Sequence, residues 1–251
     1  LAQEMRLAQT EVFEVASFYH HFDIVKEGES APPALTVRVC DGLSCEMAGA
    51  SDLLARLPKL LGKEVRVIAA PCIGRCEQAP AVAVGQNPVP NASCDAVVAK
   101  VAANATRHLP ERHIDYAGYQ AEGGYALLRE CASGQRDAES VIKTLEDSGL
   151  RGLGGAGFPA GRKWRIVRAE AAPRLMAVNI DEGEPGTFKD RVLLERDPHR
   201  FLEGMLTAAW AVGIARIYVY LRDEYHGCRA LLETELEKLK AHPPVAEMPE
   251  I

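Results

Sequence analysis

The sequence predicts an α/β protein of two domains. Strand-like and helix-like segments alternate through residues 1–107, and the alternation resumes after a glycine-rich stretch. The chain has 251 residues, 47% of them hydrophobic and 25% charged, which supplies enough apolar surface for two cores. The net charge of −6 argues against a general nucleic-acid or anionic-membrane binder. No run of 18 apolar residues occurs, so no membrane segment is predicted. Leu1-Ala2-Gln3-Glu4 and Glu247-Met248-Pro249-Glu250-Ile251 read as interior sequence, so the chain is expected to be part of a longer polypeptide.

The elements follow in order. Leu1 to about Phe22 reads as helix, with Leu7, Val12, Val15 and Phe18 near helical spacing. Lys26 to Pro33 is a breaker-rich joint. Leu35 to Val39 alternates and is β-branched, predicting a strand that ends at Cys40. Cys45 to Leu61 reads as helix, with Leu53, Leu54, Leu57 and Leu61 on one side. Glu64 to Ile68 is a second strand, Ala81 to Gly85 a third that leads into a hairpin, and Asp95 to Arg107 a helix. His108 to Arg136 holds Gly118, Gly123, Gly124 and Gly134 with little apolar periodicity, and reads as a linker. In 137–251, Asp137 to Ser148 reads as helix, Gly149 to Gly161 as a glycine-rich loop and Arg174 to Asn179 as strand. An acidic loop follows, then a helix over His199 to Val212, a strand over Arg216 to Leu221 and a charged helix over Asp223 to Lys240.

Seven cysteines, an odd number, argue against a secreted disulfide framework and for a cytoplasmic chain. Four fall in two tight pairs, Cys40-x4-Cys45 and Cys72-x3-Cys76, each where a strand is expected to end. Iron–sulfur clusters are held by four thiolates, and such unequal spacings suit the loops that wrap them. Gly42, Ser44, Gly74 and Ala79 are compact enough to let backbone amides approach cluster sulfides. A zinc site and a thiol or disulfide pair stay open on spacing alone; absence of a C-x-x-C pair weighs against thiol–disulfide chemistry. Cys94, Cys131 and Cys228 read as small buried hydrophobes.

Leu7 to Phe22, the first cysteine pair and Ala70-Pro71-Cys72-Ile73-Gly74-Arg75-Cys76-Glu77-Gln78-Ala79-Pro80-Ala81 together resemble the thioredoxin-like two-iron ferredoxin, the small iron–sulfur subunit of NADH:quinone oxidoreductase (complex I) and its relatives. The resemblance implies a [2Fe–2S] cluster ligated by Cys40, Cys45, Cys72 and Cys76.

Gly152-Leu153-Gly154-Gly155-Ala156-Gly157 satisfies G-x-G-x-x-G, but a helix is expected before it where a dinucleotide fingerprint needs a strand. Such a loop exposes backbone N–H groups and lets a phosphate or flat ring approach closely. Lys163 is placed to meet a phosphate and Phe158 to stack on a ring. The acidic loop, Asn179 to Arg191, carries Asp181, Glu182 and Glu184 at the C-terminal end of a strand, where α/β folds bind ligands. The alternative is a solvated loop balanced by Lys189 and Arg191.

Leu150 to Trp164 followed by Asn179 to Arg191 resembles the FMN- and NADH-binding flavoprotein subunit of the same complexes. The resemblance implies FMN contacts from Gly152, Gly154, Gly155, Gly157, Lys163, Asn179, Asp181 and Glu182, and contacts to NAD(H) from Phe158 and Glu184. Leu153 stands where that family has an arginine. The implied fold is a thioredoxin-like [2Fe–2S] ferredoxin domain followed by the N-terminal part of a complex I flavoprotein-type α/β FMN domain. A second flavin loop and a C-x2-C-x2-C motif for a [4Fe–4S] cluster are absent and expected beyond Ile251, so residues 1–251 are not expected to hold FMN durably by themselves. Having both domains in one chain resembles the diaphorase subunits of soluble NAD-dependent formate dehydrogenases and NAD-reducing hydrogenases. Leu194 to Met205 and Tyr220 to Tyr225 look closest to the formate dehydrogenase β subunit. The implied partners are a catalytic molybdenum or tungsten formate dehydrogenase subunit, or a hydrogenase subunit, with further iron–sulfur subunits. No side chain is expected to act as general acid or base, because the hydride chemistry belongs to the cofactors. The rival from another class is a zinc-stabilised interaction scaffold.

Overall fold

The computed structural model describes residues 1–19, 22–110 and 112–251. They divide into two compact units, residues 1–108 with 184–186, and residues 109–183 with 187–251.

The first unit begins with α1 (Ala2–Met5) and α2 (Gln9–Phe18), where one helix is predicted over Leu1 to Phe22. Arg6 takes a left-handed conformation, φ 55°, and ends α1, while Ala8 starts α2 in extended backbone. His20 and His21, inside the predicted helix and the ferredoxin-like stretch, lie outside the described residues. Leu7, Val15 and Phe18 are exposed, so the helical spacing there faces no core of this unit.

Next come β1 (Leu35–Cys40), α3 (Leu43–Met47), α4 (Ala50–Leu61), β2 (Val65–Ala70), β3 (Val82–Val84), β4 (Asn87–Val89) and α5 (Cys94–Ala102). The helix predicted over Cys45 to Leu61 is two helices. Gly49, at φ 95°, turns the chain between them in a conformation that favours glycine. Leu53 and Leu57 of α4 are buried, and Leu54 and Leu61 pack half-buried against the same core. The sheet runs β2-β1-β3-β4. β1 and β2 are parallel with Cys40 opposite Ala70, and β3 is antiparallel to β1 and to β4. Because parallel neighbours finish at the same end, this register brings Cys40 beside the exit toward Cys72.

The second unit contains α6 (Tyr116–Ala121), α7 (Ala126–Ala132), α8 (Ala138–Asp147), α9 (Ala160–Ala169), β5 (Arg174–Ile180), α10 (Lys189–Arg196), α11 (Pro198–Val212), β6 (Ile214–Leu221) and α12 (His226–Ala241). The stretch read as a linker therefore carries two helices. Tyr116, Tyr119, Tyr125 and Leu128 from it belong to the core of the second unit, so their side chains hold in place a backbone that glycine would leave loose. Helices α9 and α10 are also unpredicted. The strands β5 and β6 pair in parallel, Ile180 opposite Leu221, and Glu250 bridges to Arg216 beside β6. α11 is largely buried and begins with Asp197 accepting from the N–H of Arg200. Among the described residues no helix is long and apolar enough to cross a membrane.

Candidate functional site

In the first unit the four predicted ligands come together where strands end. Cys40 closes β1, Cys45 lies in α3, and Cys72 and Cys76 follow β2. Cys40, Cys45 and Cys72 are buried and Cys76 is half-buried. Cys72 Sγ and Cys76 Sγ lie 3.4 Å apart. Backbone donors meet the sulfurs: Gly74 N–H donates to Cys72 Sγ and Ala81 N–H to Cys45 Sγ, both at 3.4 Å. Ala81 is held there because its carbonyl accepts from Cys40 N–H at 3.1 Å. A Cβ on Gly42 would lie 3.5 Å from Cys40 Sγ, in ordinary van der Waals contact, so the loop passes close to the thiols.

The thiols polarise one another. The hydrogen bond from Cys72 draws the Cys40 thiol below its ordinary pKa against the opposing effect of burial, and the same bond together with burial pushes Cys72 far up. Burial raises Cys76. Among the described residues no group of three or more His, Cys, Asp or Glu side chains closes on one point, as a single metal ion would require. Two cysteine pairs with backbone N–H groups on their sulfurs fit a two-iron cluster, whose thiolate ligands accept such hydrogen bonds.

In the second unit the glycine loop leads into α9. Gly152 N–H donates to Phe158 O at 2.9 Å and Ala160 N–H to Leu150 O at 2.8 Å, which ties the two ends of the loop together. The Arg151 guanidinium donates to Gly157 O at 2.9 Å. The tip is exposed. A Cβ added at Gly154, Gly155 or Gly157 would meet nothing within 4 Å, and Gly155 and Gly157 have φ of 96° and 60°. Phe158 and Lys163 are exposed, with the Arg162 guanidinium 5.7 Å from the Phe158 ring centroid. Open space over backbone N–H groups, with an aromatic ring and a lysine beside it, fits a phosphate-bearing planar ligand.

Below the loop, α9 packs closely on α8. Gly161 is buried, and a Cβ there would lie 2.6 Å from the Glu146 backbone nitrogen. Arg165 holds both carboxylate oxygens of Glu146, at 2.9 and 2.8 Å, and also reaches Glu139.

The acidic loop divides by direction. Asn179, Asp181 and Glu184 are exposed, whereas Glu182 is buried. Asn179 Oδ1 accepts from Asp181 N–H at 2.9 Å, closing a turn. Asn179 also lines a cavity of about 560 Å³ with Val178, Asp190, Leu193 and Phe201. The Glu182 carboxylate accepts from the N–H groups of Asp190 and Arg191, at 2.9 and 3.3 Å, and from Tyr225 Oη at 2.9 Å. Burial pushes the Glu182 pKa up, and these donors outweigh it and hold the group below its ordinary value. Glu182, a predicted FMN ligand, thus spends its carboxylate on its own chain. Among the described residues no hydrogen bond joins the glycine loop to the acidic loop.

One polar cluster was not foreseen in the sequence. His199 and Glu235 are fully buried and bonded, Nε2 to Oε2, at 2.8 Å. Tyr125 Oη contacts His199 Nδ1 at 2.7 Å, and Tyr116 N–H, His113 and Lys238 meet the same Glu235 carboxylate. Its one sequence signal is a histidine and a glutamate at inward positions of otherwise apolar helix faces.

Residues 1–105 match the thioredoxin-like [2Fe–2S] ferredoxin family, and residues 145–250 match the Nuo51 FMN-binding domain. The mitochondrial NADH dehydrogenase [ubiquinone] flavoprotein 1 of Dictyostelium discoideum is 42% identical over 101 residues, 39% of this chain and 21% of that protein. NAD-reducing hydrogenase HoxS subunit alpha of Cupriavidus necator is 32% identical over 277 residues, covering 96% of this chain and 44% of that protein. A crystal structure of NAD+-reducing [NiFe]-hydrogenase in the air-oxidized state superposes with a TM-score of 0.76 at 30% identity, over 98% of this chain and 46% of that one. The chain thus spans less than half the length of these relatives.

Proposed function

We propose that this chain, which joins a thioredoxin-like [2Fe–2S] ferredoxin domain to a Nuo51 FMN-binding domain, is the diaphorase part of a multi-subunit NAD-linked oxidoreductase. The observation that carries the reading is the likeness to the α subunit of a NAD-reducing hydrogenase along 96% of the chain, through both domains in the same order. When bound, FMN supplies hydride exchange with the nicotinamide and single-electron exchange with iron–sulfur carriers.

The chain's own groups do the rest. Residues 1–107 form the cluster domain, and 137–251, with the helices of 108–136 packed into the same core, form the flavin and nucleotide part. Cys40, Cys45, Cys72 and Cys76 hold the [2Fe–2S] cluster, and the N–H groups of Gly74 and Ala81 stabilise the electron-rich sulfurs. Backbone N–H groups of Gly154, Gly155 and Gly157, with Lys163, would hold the flavin phosphate, and Gly152, whose own N–H closes the loop on Phe158 O, would let the ring approach. Asn179 and Asp181 would accept from flavin hydroxyls, and Phe158 would lie against the nicotinamide nucleotide. No side chain is assigned as general acid or base. A cytoplasmic setting agrees with the odd number of cysteines, seven. A [4Fe–4S] cluster is proposed as a further carrier of the complex.

The resemblance of Leu194–Met205 and Tyr220–Tyr225 favours a formate dehydrogenase partner. The relative matched through both domains belongs to a hydrogenase, which favours a hydrogenase partner. Supplying formate or hydrogen to the purified complex with NAD+ separates the two. For the diaphorase reading itself, the complex is expected to reduce a viologen dye with NADH. Stripping the flavin should abolish this, and added FMN should restore it. A complex carrying flavin and iron but inert toward NADH contradicts the reading.

A further inference from the structure

We propose that Arg222 and Tyr225 are positioning residues that preset the acidic loop after β5 for its ligand. The proposal rests on the reading of Asn179 and Asp181 as ligand-facing, and adds the groups that hold them there.

The geometry singles out one residue gripped at two places. Arg222 Nη1 donates to the backbone carbonyl of Glu182 at 2.6 Å, and Tyr225 Oη donates to the Glu182 carboxylate at 2.9 Å. Arg222 and Tyr225 stand three residues apart on the segment leaving β6, the strand parallel to β5. Arg222 is itself fixed. Its backbone N–H donates to Ile180 O at 3.2 Å, and its guanidinium makes two bonds to Glu224, at 2.8 and 3.1 Å. The same guanidinium lies 5.7 Å from the Tyr225 ring centroid, and Tyr225 N–H donates to Arg222 O at 3.1 Å. Both residues are buried, 8% and 3% exposed.

Anchoring Glu182 inward turns its neighbours outward. In extended backbone successive side chains point to opposite sides, and here Asp181 is exposed where Glu182 is buried. The anchored carboxylate also caps the first turn of α10 through Asp190 and Arg191 N–H. The loop is therefore pinned at its strand end and its helix end through one side chain. That place, outside the carboxyl ends of parallel strands, is where open α/β sheets bind ligands. A preset loop spares the ligand the entropy of ordering it.

The test compares the wild-type complex with Tyr225→Phe and Glu182→Gln. Hydrogen exchange is read at the amides of Asp190 and Arg191 without ligand, FMN release by flavin fluorescence, and NADH KM and kcat with a viologen acceptor. Tyr225→Phe is expected to speed exchange at both amides and FMN release, and to raise the NADH KM about tenfold, the loss expected for one hydrogen bond to a charged group. With FMN and NADH saturating, kcat stays within about twofold, since the reacting groups are untouched, and the iron–sulfur absorbance is unchanged. Exchange, KM and FMN release all at wild-type values in a folded Tyr225→Phe complex overturn the proposal. If Tyr225→Phe does not assemble, Glu182→Gln decides. This isostere keeps the shape and loses the charge, so faster exchange with a raised KM supports the role and wild-type values reject it. Faster exchange in either variant, in a complex whose wild type neither holds FMN nor reacts with NADH, upholds the clasp as structure but rejects its role toward a ligand along with the functional reading.

Discussion

Around the four cysteines the chain is closely packed: three thiols are buried, backbone donors sit on the sulfurs, and a Cβ on Gly42 would already touch Cys40 Sγ. Around the tip of the glycine loop there is only space, and a Cβ at Gly154 would meet nothing within 4 Å. The first site is made by side chains delivered from a sheet. The second is made by bare backbone, and its precision comes from what lies beneath it: Gly161 against Glu146 under one loop, and the Glu182 clasp inside the other. A metal centre needs its ligands in place, whereas a nucleotide site needs its loops held still and left open.

The contrast can be broken most severely at the cysteines. Cys72→Ser is expected to remove the iron–sulfur absorbance and nearly all of the first unit's iron, while FMN binding persists. Iron content at the wild-type level would refute the ligand assignment.

Within the second unit the largest effect is expected at Glu235. Burial opposes its charge, but hydrogen bonds from Lys238, His199 and His113 lower its pKa from 4.5 to about 2. A carboxyl depressed on folding stabilises above its unfolded pKa, and that stability fades as the pH falls. The contribution, about 3 kcal/mol at neutral pH, is therefore lost between about pH 4.5 and 2. Acid unfolding followed by circular dichroism checks this. Glu235→Ala is expected to cost about 3–5 kcal/mol at pH 7, because it leaves a buried polar cluster without its acceptor, and to flatten the acid limb.

Smaller effects sharpen the comparison. Gly161→Ala is expected to cost about 1–3 kcal/mol in a urea melt, since its Cβ would strike the backbone of Glu146. Gly154→Ala is expected to change stability by less than about 0.5 kcal/mol yet weaken FMN retention, because its methyl group enters the space left for ligand. Stability loss at Gly154, or none at Gly161, would show that packing is not divided as described.

The cysteine site was the more legible of the two. Thiols in tight pairs after β-branched strands mark where a ligand set would lie, and the structure puts Cys72 against both Cys40 and Cys76. Helices α6 and α7 were not legible because Gly118, Gly123 and Gly124 break the apolar pattern. Their order comes from Tyr119 and Tyr125 packing on His199, more than 70 residues away in sequence. The inward turn of Glu182 was equally hidden. Three carboxylates in one loop look alike in sequence, and only Tyr225 and Arg222, some 40 residues on, decide which one is buried.

On the proposed function, nicotinamide, flavin and an iron–sulfur cluster communicate through this chain. The most direct test is an anaerobic visible spectrum of the purified complex before and after NADH. Bleaching of both the flavin and the iron–sulfur bands is the predicted result. A colourless protein that binds zinc in place of iron, or a fully loaded complex whose bands ignore NADH, would contradict it.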